Sequence, residues 1–246
     1  MEIIFFVMCI LVVVVVIIIC SSKKERFGSS SGNVTVYILN YNRPDNIAKS
    51  IPVLRLFKNV DQIVVSHGCA EGYREMEGVD NIKDYENNDK YGAGRRFLID
   101  LKRIKNDKVL VLDDDMFPST GLYNRMLKEM EKDSEQIYGP HRRRCDKRGY
   151  DWNPLEKDQN VVLLGLAMTS KKVIKNFQDH FSEVGDLLER YGGNGEDLAF
   201  NYIFRKYVGK IPKYIEGDFV TLDIKNGYSS MEGHNDKRHV ICKELV

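Results

Sequence analysis

Three consecutive carboxylates, Asp113, Asp114 and Asp115, end an uninterrupted apolar run over residues 109–112. Like charges placed side by side repel one another, so at least one of them should bind a proton or a cation. Hard oxygen ligands on a short turn suit Mg²⁺ or Mn²⁺, because water and phosphate oxygens can fill the remaining coordination positions. The triplet therefore predicts a divalent-metal site. A solvated acidic turn is the structural alternative.

A second group of polar side chains, from Asn194 to Asp197, precedes a helical pattern that runs to residue 207. Asn194 can cap the helix, and carboxylates in its first turn are favoured by the positive end of the helix dipole. An ionised carboxylate in a cleft can stabilise a developing cation or act as a nucleophile, but it makes a poor general acid. A helix cap followed by dipole-matched acids, with no chemical role, explains the same residues equally well.

Basic residues near the predicted strand ends could hold a phosphate-bearing ligand. Arg43 follows the first predicted strand and the pair Arg95 and Arg96 precedes the strand that ends at the triplet; a guanidinium offers a fixed fork for bidentate contact with phosphate. The basic run 141–144 could face an anionic acceptor, but its composition favours a solvated loop. His234 could ligate a metal, although a single histidine is more often a hydrogen-bonded bystander.

The elements that would position these residues alternate between strands and helices. Strands are predicted at 34–39, 62–66, 81–85, 109–112 and 160–166. Helices are predicted to begin at Pro44 and to span 92–104, 122–132, 182–191 and 196–207. This alternation is typical of βαβ units and a mainly parallel sheet, in which ligands bind outside the carboxyl ends of the strands. The acidic triplet lies at such an end.

Composition bounds the possible functions. The 246-residue chain is long enough for one domain with a sizeable core. Its 37 basic and 36 acidic residues leave a formal net charge of +1. A duplex-binding protein usually carries a broad basic surface, so we expect no nucleic-acid partner.

The first residues form a separate segment. Residues 3–20 are continuously apolar, which is close to the roughly 20 residues that cross a bilayer. Glu2 precedes this run and no A-x-A-like site follows it, which favours an uncleaved anchor over a signal peptide. We therefore expect a single-pass membrane anchor at 1–22, a flexible linker at 23–33 and one catalytic domain at 34–246.

Two features favour a cytoplasmic position for that domain. The basic cluster at 23–26 directly follows the span, and basic residues prefer the cytoplasmic side. The cysteines beyond the linker, Cys69, Cys145 and Cys242, show no spacing of a disulfide framework, which favours a reducing compartment. The sequon at 33–35 is compatible with the alternative, a type II protein with its domain in the Golgi or ER lumen.

Five short motifs resemble, in order and approximate spacing, those of the exostosin-like glycosyltransferases, the family of the GlcNAc-transferring domains of heparan sulfate polymerases. They are Tyr41-Asn42-Arg43, Val111-Leu112-Asp113-Asp114-Asp115, Gln136-Ile137-Tyr138-Gly139-Pro140, Asn194-Gly195-Glu196-Asp197-Leu198-Ala199-Phe200-Asn201-Tyr202 and Asn226-Gly227-Tyr228-Ser229-Ser230-Met231. The resemblance implies a GT-A fold, an α/β architecture with a Rossmann-like mixed sheet and helices on both faces. It also implies transfer of a sugar, an N-acetylhexosamine, from a UDP-sugar to a glycan acceptor, with Mn²⁺ or Mg²⁺ and with retention of configuration.

The resemblance implies roles for the residues near the triplet. Asp115 is placed like the metal ligand of the family. Asp113 and Asp114 are placed like contacts to the ribose and the donor sugar, with Asp113 as a second, weaker metal ligand. Arg43 and Arg96 are placed like nucleotide-binding arginines.

The resemblance also implies roles for residues in the second half of the chain. Arg238 is placed like a diphosphate-binding arginine, and Asn194 and Glu196 match donor-sugar contacts. Asp197 matches the catalytic aspartate, which would stabilise an oxocarbenium-like centre or bond to it covalently. Gly195 stands where relatives carry a cysteine paired near the C-terminus, so the resemblance implies that this bridge is absent.

Two other functions fit parts of the sequence. A strand followed by Asp113-x-Asp115 also opens the haloacid dehalogenase-type phosphatases, although that motif normally lies near the start of the domain and Phe117 replaces the usual Thr or Val. A non-catalytic, membrane-tethered binder of sugar nucleotides or glycans would share the donor site without turnover.

Overall fold

A mixed sheet of seven strands forms the centre of the computed structural model, which describes residues 32–222 and 233–246. The strands are, in chain order, β1 (Val34–Asn40), β2 (Val60–His67), β3 (Asp80–Lys83), β4 (Lys108–Asp113), β5 (Met116–Pro118), β6 (Tyr138–Gly139), β7 (Arg142–Asp146), β8 (Gly149–Asp151), β9 (Val161–Val162), β10 (Leu166–Ser170), β11 (Lys213–Tyr214) and β12 (Phe219–Thr221). The central sheet has the order β11-β6-β10-β4-β1-β2-β3. Two smaller sheets have the orders β12-β5 and β8-β7-β9.

Helices connect and cover these strands. The α-helices are α1 (Pro44–Leu54), α2 (Tyr85–Tyr91), α3 (Thr120–Lys132), α4 (Lys171–Asp179), α5 (Gly185–Arg190), α6 (Glu196–Val208) and α7 (His234–Leu245). Short 3-10 helices span Gly92–Phe97, Leu101–Arg103, Glu156–Asp158 and Phe181–Glu183. Pro44 is the first residue of α1, as predicted, because its fixed φ suits the first helical turn.

The middle of the sheet is parallel, and its strands are largely buried on both faces, as is usual for parallel strands. Every residue of β1 is buried, and β1 pairs in parallel with both β2 and β4. β10 runs antiparallel to β4 and pairs Leu166 with Leu112. The predicted mixed sheet is therefore confirmed, and β4 lies at its centre with its carboxyl end open to ligands.

Alternate residues of the strands pack against helices on opposite faces of the sheet. On one face, Val109 and Val111 belong to a buried cluster with residues of α4 and α6. On the other face, Leu110 and Leu112 belong to a cluster with residues of α1 and α3. Helices on both faces, as predicted, hold β4 fixed from each side.

The predicted helix at 92–104 is wrong. An α-helix, α2, ends before it at Tyr91, and two 3-10 helices replace the predicted one. Gly92 has φ 50°, which interrupts the right-handed helix, and its backbone lies so close to Gly192 that an added Cβ would overlap the Gly192 carbonyl. A close backbone approach therefore overrides the helical pattern.

The predicted strand at 160–166 is also wrong in extent. Val161 and Val162 form β9, which pairs with β7, whereas the strand of the central sheet begins at Leu166. Between them Gly165 accepts a hydrogen bond from the Asp113 backbone N–H at 2.7 Å. This apolar run therefore contributes a strand to each of two sheets, and the chain between them passes the end of β4.

The basic run 141–144 is not a loop, because Arg142–Asp146 forms β7, half of a hairpin with β8. Cys145 in this hairpin forms a disulfide with Cys242 of α7, with a Cα–Cα distance of 5.2 Å. The expectation that the domain contains no disulfide is therefore wrong. The cysteines no longer favour a reducing compartment.

The predicted membrane span lies outside the described residues, as does most of the predicted linker. Within 32–222 and 233–246, no helix is long and apolar enough to cross a bilayer.

Truncation of the core beside β4 tests this packing. We expect Leu110→Ala, a fully buried position, to lower the free energy of unfolding by about 2–5 kcal/mol, because a cavity adds to the lost burial. Leu56→Ala, at a position that is 69% exposed, is the matched control and should change it by about 0.5 kcal/mol or less. Urea unfolding followed by circular dichroism measures both; equal costs would contradict the assigned core.

Candidate active site

The acidic triplet forms the tight connection between β4 and β5. Asp113 is the last residue of β4, Asp114 and Asp115 make the turn, and Met116 starts β5. An added Cβ on Gly165 would overlap the Asp113 carboxylate. The glycine therefore allows the end of β4 to lie close to the start of β10. The three carboxylates are thereby fixed at the carboxyl end of the central strand.

Arg43 clamps two of these carboxylates. Its Nη1 lies 2.5 Å from Asp114 Oδ1 and 2.8 Å from Asp115 Oδ2. The Tyr41 backbone N–H donates to the other Asp114 oxygen at 3.2 Å. Because Tyr41 and Arg43 directly follow β1, the carboxyl ends of β1 and β4 are joined by charge. The parallel pairing of β1 with β4 thus brings Arg43 into contact with the triplet.

Arg96 joins the triplet to α6. Its Nη2 lies 2.5 Å from Asp113 Oδ1 and 3.7 Å from Glu196 Oε1, while Nη1 donates to the Leu164 carbonyl at 2.7 Å. Its side chain is 2% exposed, so these charge-assisted contacts form away from bulk water. Its neighbour Arg95 plays a different part.

Arg95 holds strand ends together and does not face the triplet. It is fully buried, and it donates to the Asn40 carbonyl at 2.8 Å and to Ser66 Oγ at 2.6 Å. These contacts tie the last residue of β1 to β2. Of the predicted arginine pair, only Arg96 contacts the acidic triplet.

Asp197 and Arg238 form a buried ion pair between α6 and α7. Arg238 Nη2 donates to Asp197 Oδ1, and both side chains are about 5% exposed. The guanidinium also lies over the ring of Tyr150 in β8, 4.8 Å from its centroid. A hairpin, α6 and α7 therefore meet at the predicted catalytic aspartate.

Asn194 does not cap α6 as predicted. The N-cap residue is Gly195, with φ 86°, and Asn194 Nδ2 instead donates to the His234 carbonyl at 3.3 Å. A left-handed glycine at this position turns Asn194 away from the helix and toward the start of α7. Asn194 and His234 therefore lie beside Asp197 and Arg238.

Burial favours the neutral forms of three carboxyl groups in this site, Asp114, Asp115 and Glu196. It raises the pKa of Asp114 to about 7, although Arg43 opposes the rise. Burial and then the Asp113 charge raise the pKa of Asp115. Burial and then the Asp197 charge likewise raise the pKa of Glu196.

For Arg96 and Arg238, the neighbouring negative charges outweigh the effect of burial on the pKa. Burial by itself would lower the pKa of Arg96, but Asp113 and Glu196 raise it above its ordinary value. The same balance holds for Arg238, whose pKa Asp197 raises. Each guanidinium is therefore permanently charged within the site.

The triplet fits a divalent cation with open coordination positions. Asp115 Oδ1 is buried and has no hydrogen-bond partner among the described residues, and Asp113 is 34% exposed. Within 32–222 and 233–246, no group of three or more His, Cys, Asp or Glu side chains is arranged to hold a metal ion, so the protein would supply fewer than three of the ligands. One or two carboxylates plus phosphate oxygens is the mode in which Mg²⁺ is commonly held. A metal role for His234 stays a prediction.

Three features of the site have no counterpart in the sequence analysis. Tyr150 packs against Arg238, the Cys145–Cys242 bridge ties the hairpin to α7, and the His141 ring packs against Phe219. Burial lowers the pKa of His141 to about 4, so its imidazole is neutral at pH 7. The short stretch from Asp146 to Gly149, between apolar neighbours, is the hairpin signal that could have located Tyr150.

A mixed α/β sheet whose central strand ends in an acidic triplet, ringed by arginines, defines a nucleotide-sugar transferase domain of GT-A-like architecture. The sequence signature of Glycosyl transferase family 2 matches residues 35–194, and the chain belongs to this family. No curated protein sequence matches the chain. The family indicates a glycosyltransferase that uses a nucleotide sugar. The matched range includes the triplet, Arg43 and Arg96, and ends at Asn194.

The buried ion pair predicts a strong coupling between Asp197 and Arg238. We expect Asp197→Asn or Arg238→Gln alone to cost about 3–5 kcal/mol of stability, because each leaves a buried charge without its partner. The double variant should cost clearly less than the sum of the two. Urea unfolding measures the cycle.

The exposed pair between Lys175 and Asp179 is the matched control, with side chains 61% and 52% exposed. Lys175→Gln should cost about 1 kcal/mol or less. If the variants at 197 and 238 cost no more than this control, the buried pairing is contradicted.

Proposed function

We propose that the chain is a metal-dependent glycosyltransferase that moves a sugar from a UDP-sugar to a glycan acceptor. The observation that carries the proposal is the set of carboxylates at the end of β4, held by Arg43 and Arg96. Arg96 also contacts Glu196 at the start of α6. Asp197 is the next residue of this helix, so it lies near the same region. The domain belongs to Glycosyl transferase family 2, which supports sugar transfer as the chemistry.

Donor binding would use the groups around the triplet. Asp113, which is partly exposed, would accept hydrogen bonds from the ribose, and Arg43 and Arg96 would offset the charge of the nucleotide. Mn²⁺ or Mg²⁺ at Asp115, with Asp113 beside it, would supply positive charge for the departing diphosphate. Asp115 supports this assignment because one of its oxygens is buried without a partner among the described residues.

Groups on α6 and α7 would act on the sugar side. Arg238 Nε is buried and has no hydrogen-bond partner within the described ranges, so it has a donor left for a diphosphate oxygen. Asn194 and Glu196 lie next to Asp197 and would contact the donor sugar. That this sugar is an N-acetylhexosamine rests on the resemblance of these two residues to donor-sugar contacts of exostosin-like enzymes.

Asp197 is the proposed catalytic residue. Its carboxylate is fixed by Arg238 and by the Leu198 backbone N–H, which donates to it at 2.8 Å. A fixed carboxylate next to the anomeric carbon would stabilise positive charge there or form a bond to it, and the configuration would be retained. If Asp197 instead takes the proton of the acceptor hydroxyl, the configuration is inverted.

The two alternative functions are less well supported. A haloacid dehalogenase-type phosphatase would carry its aspartates near the start of the domain, whereas Asp113 and Asp115 follow the fourth strand of a family 2 domain. A non-catalytic binder would share the donor site, and it differs only in that a UDP-sugar would persist in the presence of metal and acceptors.

We also propose that the domain is tethered to a membrane by residues 1–22 and faces an oxidising lumen. The tether rests on the apolar run in the sequence. The lumenal orientation rests on the Cys145–Cys242 disulfide, because such bonds persist in secretory compartments and are rare in the cytosol. This reverses the orientation that the flanking basic cluster favours.

Metal dependence is tested by the binding of UDP. We expect Asp115→Asn to weaken UDP binding in the presence of Mn²⁺ by at least about 10-fold, because the cation loses its main ligand. Asp179→Asn, an exposed position on α4, is the matched control and should bind UDP like the natural protein. Isothermal titration calorimetry of the natural protein and both variants, with Mn²⁺ and with a chelator, measures all six cases.

If the natural protein binds UDP equally well with Mn²⁺ and with the chelator, the metal assignment is overturned. Release of UDP from UDP-sugars, screened across donors, then tests the transferase activity itself. An unchanged UDP-sugar after prolonged incubation with metal and acceptors would favour the non-catalytic binder.

The role of Asp197 has a separate test. We expect Asp197→Asn to lower the rate of transfer per folded molecule by at least about 100-fold, because charge at the reaction centre is lost. Proton NMR of the first product formed by the natural protein reports the anomeric configuration. A retained anomer supports an aspartate beside the anomeric carbon, and an inverted one would make Asp197 the base for the acceptor.

A further inference from the structure

The hairpin of β7 and β8 contacts α7 through two adjacent pairs of residues. Cys145 and Tyr150 lie directly opposite each other in the hairpin, so their side chains share one face. Arg238 and Cys242 are four residues apart on α7 and therefore also share one face. The disulfide joins the cysteines, and the guanidinium stacks on the tyrosine ring.

The turn of the hairpin adds a third contact with α7. Gly149 has φ 101°, and an added Cβ there would overlap the ring of His239. The backbone of the hairpin can therefore approach α7 only because this residue is a glycine. His239 follows Arg238 directly, so this contact lies beside the arginine that pairs with Asp197.

Tyr150 is itself held in place. Its hydroxyl accepts a hydrogen bond from Arg143 Nε at 3.1 Å, and Arg143 belongs to the neighbouring strand β7. The ring therefore cannot rotate away from Arg238 without breaking this contact. The chain of contacts from Arg143 through Tyr150 and Arg238 ends at the Asp197 carboxylate.

Away from the hairpin, α7 makes both exposed and buried contacts. Glu244 accepts hydrogen bonds from Arg190 at 2.8 Å and from the Tyr191 hydroxyl at 2.6 Å, in contacts exposed to solvent that contribute little. Ile241 and Leu245 are buried in the core cluster that also contains residues of α6. The disulfide adds a covalent restraint between α7 and the hairpin.

We propose that the Cys145–Cys242 disulfide and Tyr150 are positioning elements that hold Arg238 against Asp197, so that sugar transfer depends on the oxidised bridge. The inference rests on the proposed transferase function. A small dithiol would reduce the bridge by exchange: two electrons and two protons pass to the two cysteines, and the dithiol closes into a cyclic disulfide. The hairpin and α7 would then be free to shift, and a displacement of about 1 Å near the chemistry can cost about 100-fold in rate.

Both sulfurs are buried, with Cys145 1% and Cys242 0% exposed. A dithiol reaches them only when the hairpin and α7 separate locally, so loss of activity should be slow and should follow the opening of this region. Cys69 is a free thiol, so a dithiol has no bond to reduce there. A Cys69→Ser variant excludes thiol exchange between Cys69 and the bridge as a cause of any change in activity.

The experiment compares the full chain before and after incubation with dithiothreitol, at matched concentration of folded protein. The natural protein and Cys69→Ser should both lose at least about 10-fold in turnover of UDP-sugar, whereas Cys145→Ala/Cys242→Ala should start low and not respond. The number of UDP sites per chain, measured by calorimetry with Mn²⁺, should stay unchanged on reduction.

Tyr150 gives a test that needs no reductant. Tyr150→Phe keeps the ring beneath Arg238 and should lose much less turnover than Tyr150→Leu, which removes it. Equal losses in the two variants would overturn the part assigned to the ring.

Each outcome of the reduction experiment decides between defined alternatives. Equal turnover with and without the bridge overturns the inference and leaves the proposed function intact. A number of UDP sites that falls in step with turnover also overturns it, because the bridge would then only keep the domain folded. No turnover in the oxidised natural protein counts against the proposed function itself.

Discussion

Pairing of arginines with carboxylates, in a region with little water, determines the geometry of the site. Asp113, Asp114 and Asp115 alone would repel one another at the end of β4. Arg43 and Arg96 offset this charge from two different parts of the chain, and each thereby joins β4 to another element. The strand ends and the charged side chains therefore hold each other in position. A shift of either would leave a carboxylate buried without a compensating charge.

The arginines offset the cost of burying these carboxylates only in part. Burial still raises the pKa of Asp114 and Asp115 with Arg43 in contact, so Arg43 does not fully offset the cost of burying these carboxylates in their charged form. A domain selected only for stability would replace such groups with apolar ones. A cation bound beside such carboxylates favours their charged form, so a site that receives a cation gains from them.

The sequence predicted the parts of the fold that depend on local pattern. β1, β2 and β4 are apolar runs long enough to be recognised, and the rule for ligands at the carboxyl ends of strands placed the triplet at such an end. It failed where distant backbone decides the conformation. Gly92 is held against Gly192, and Gly165 lies beneath Asp113, and both contacts join residues far apart in sequence. The pairing of two cysteines likewise depends on their distance in the fold.

The disulfide imposes an order on assembly. Cys145 and Cys242 are separated by 97 residues, so the bridge can form only after the chain has been made almost to its end. Cys69 and Cys145 are both synthesised before Cys242, so the order of synthesis does not select the observed pair. The selection depends on the docking of α7 against the hairpin, which brings the two sulfurs together.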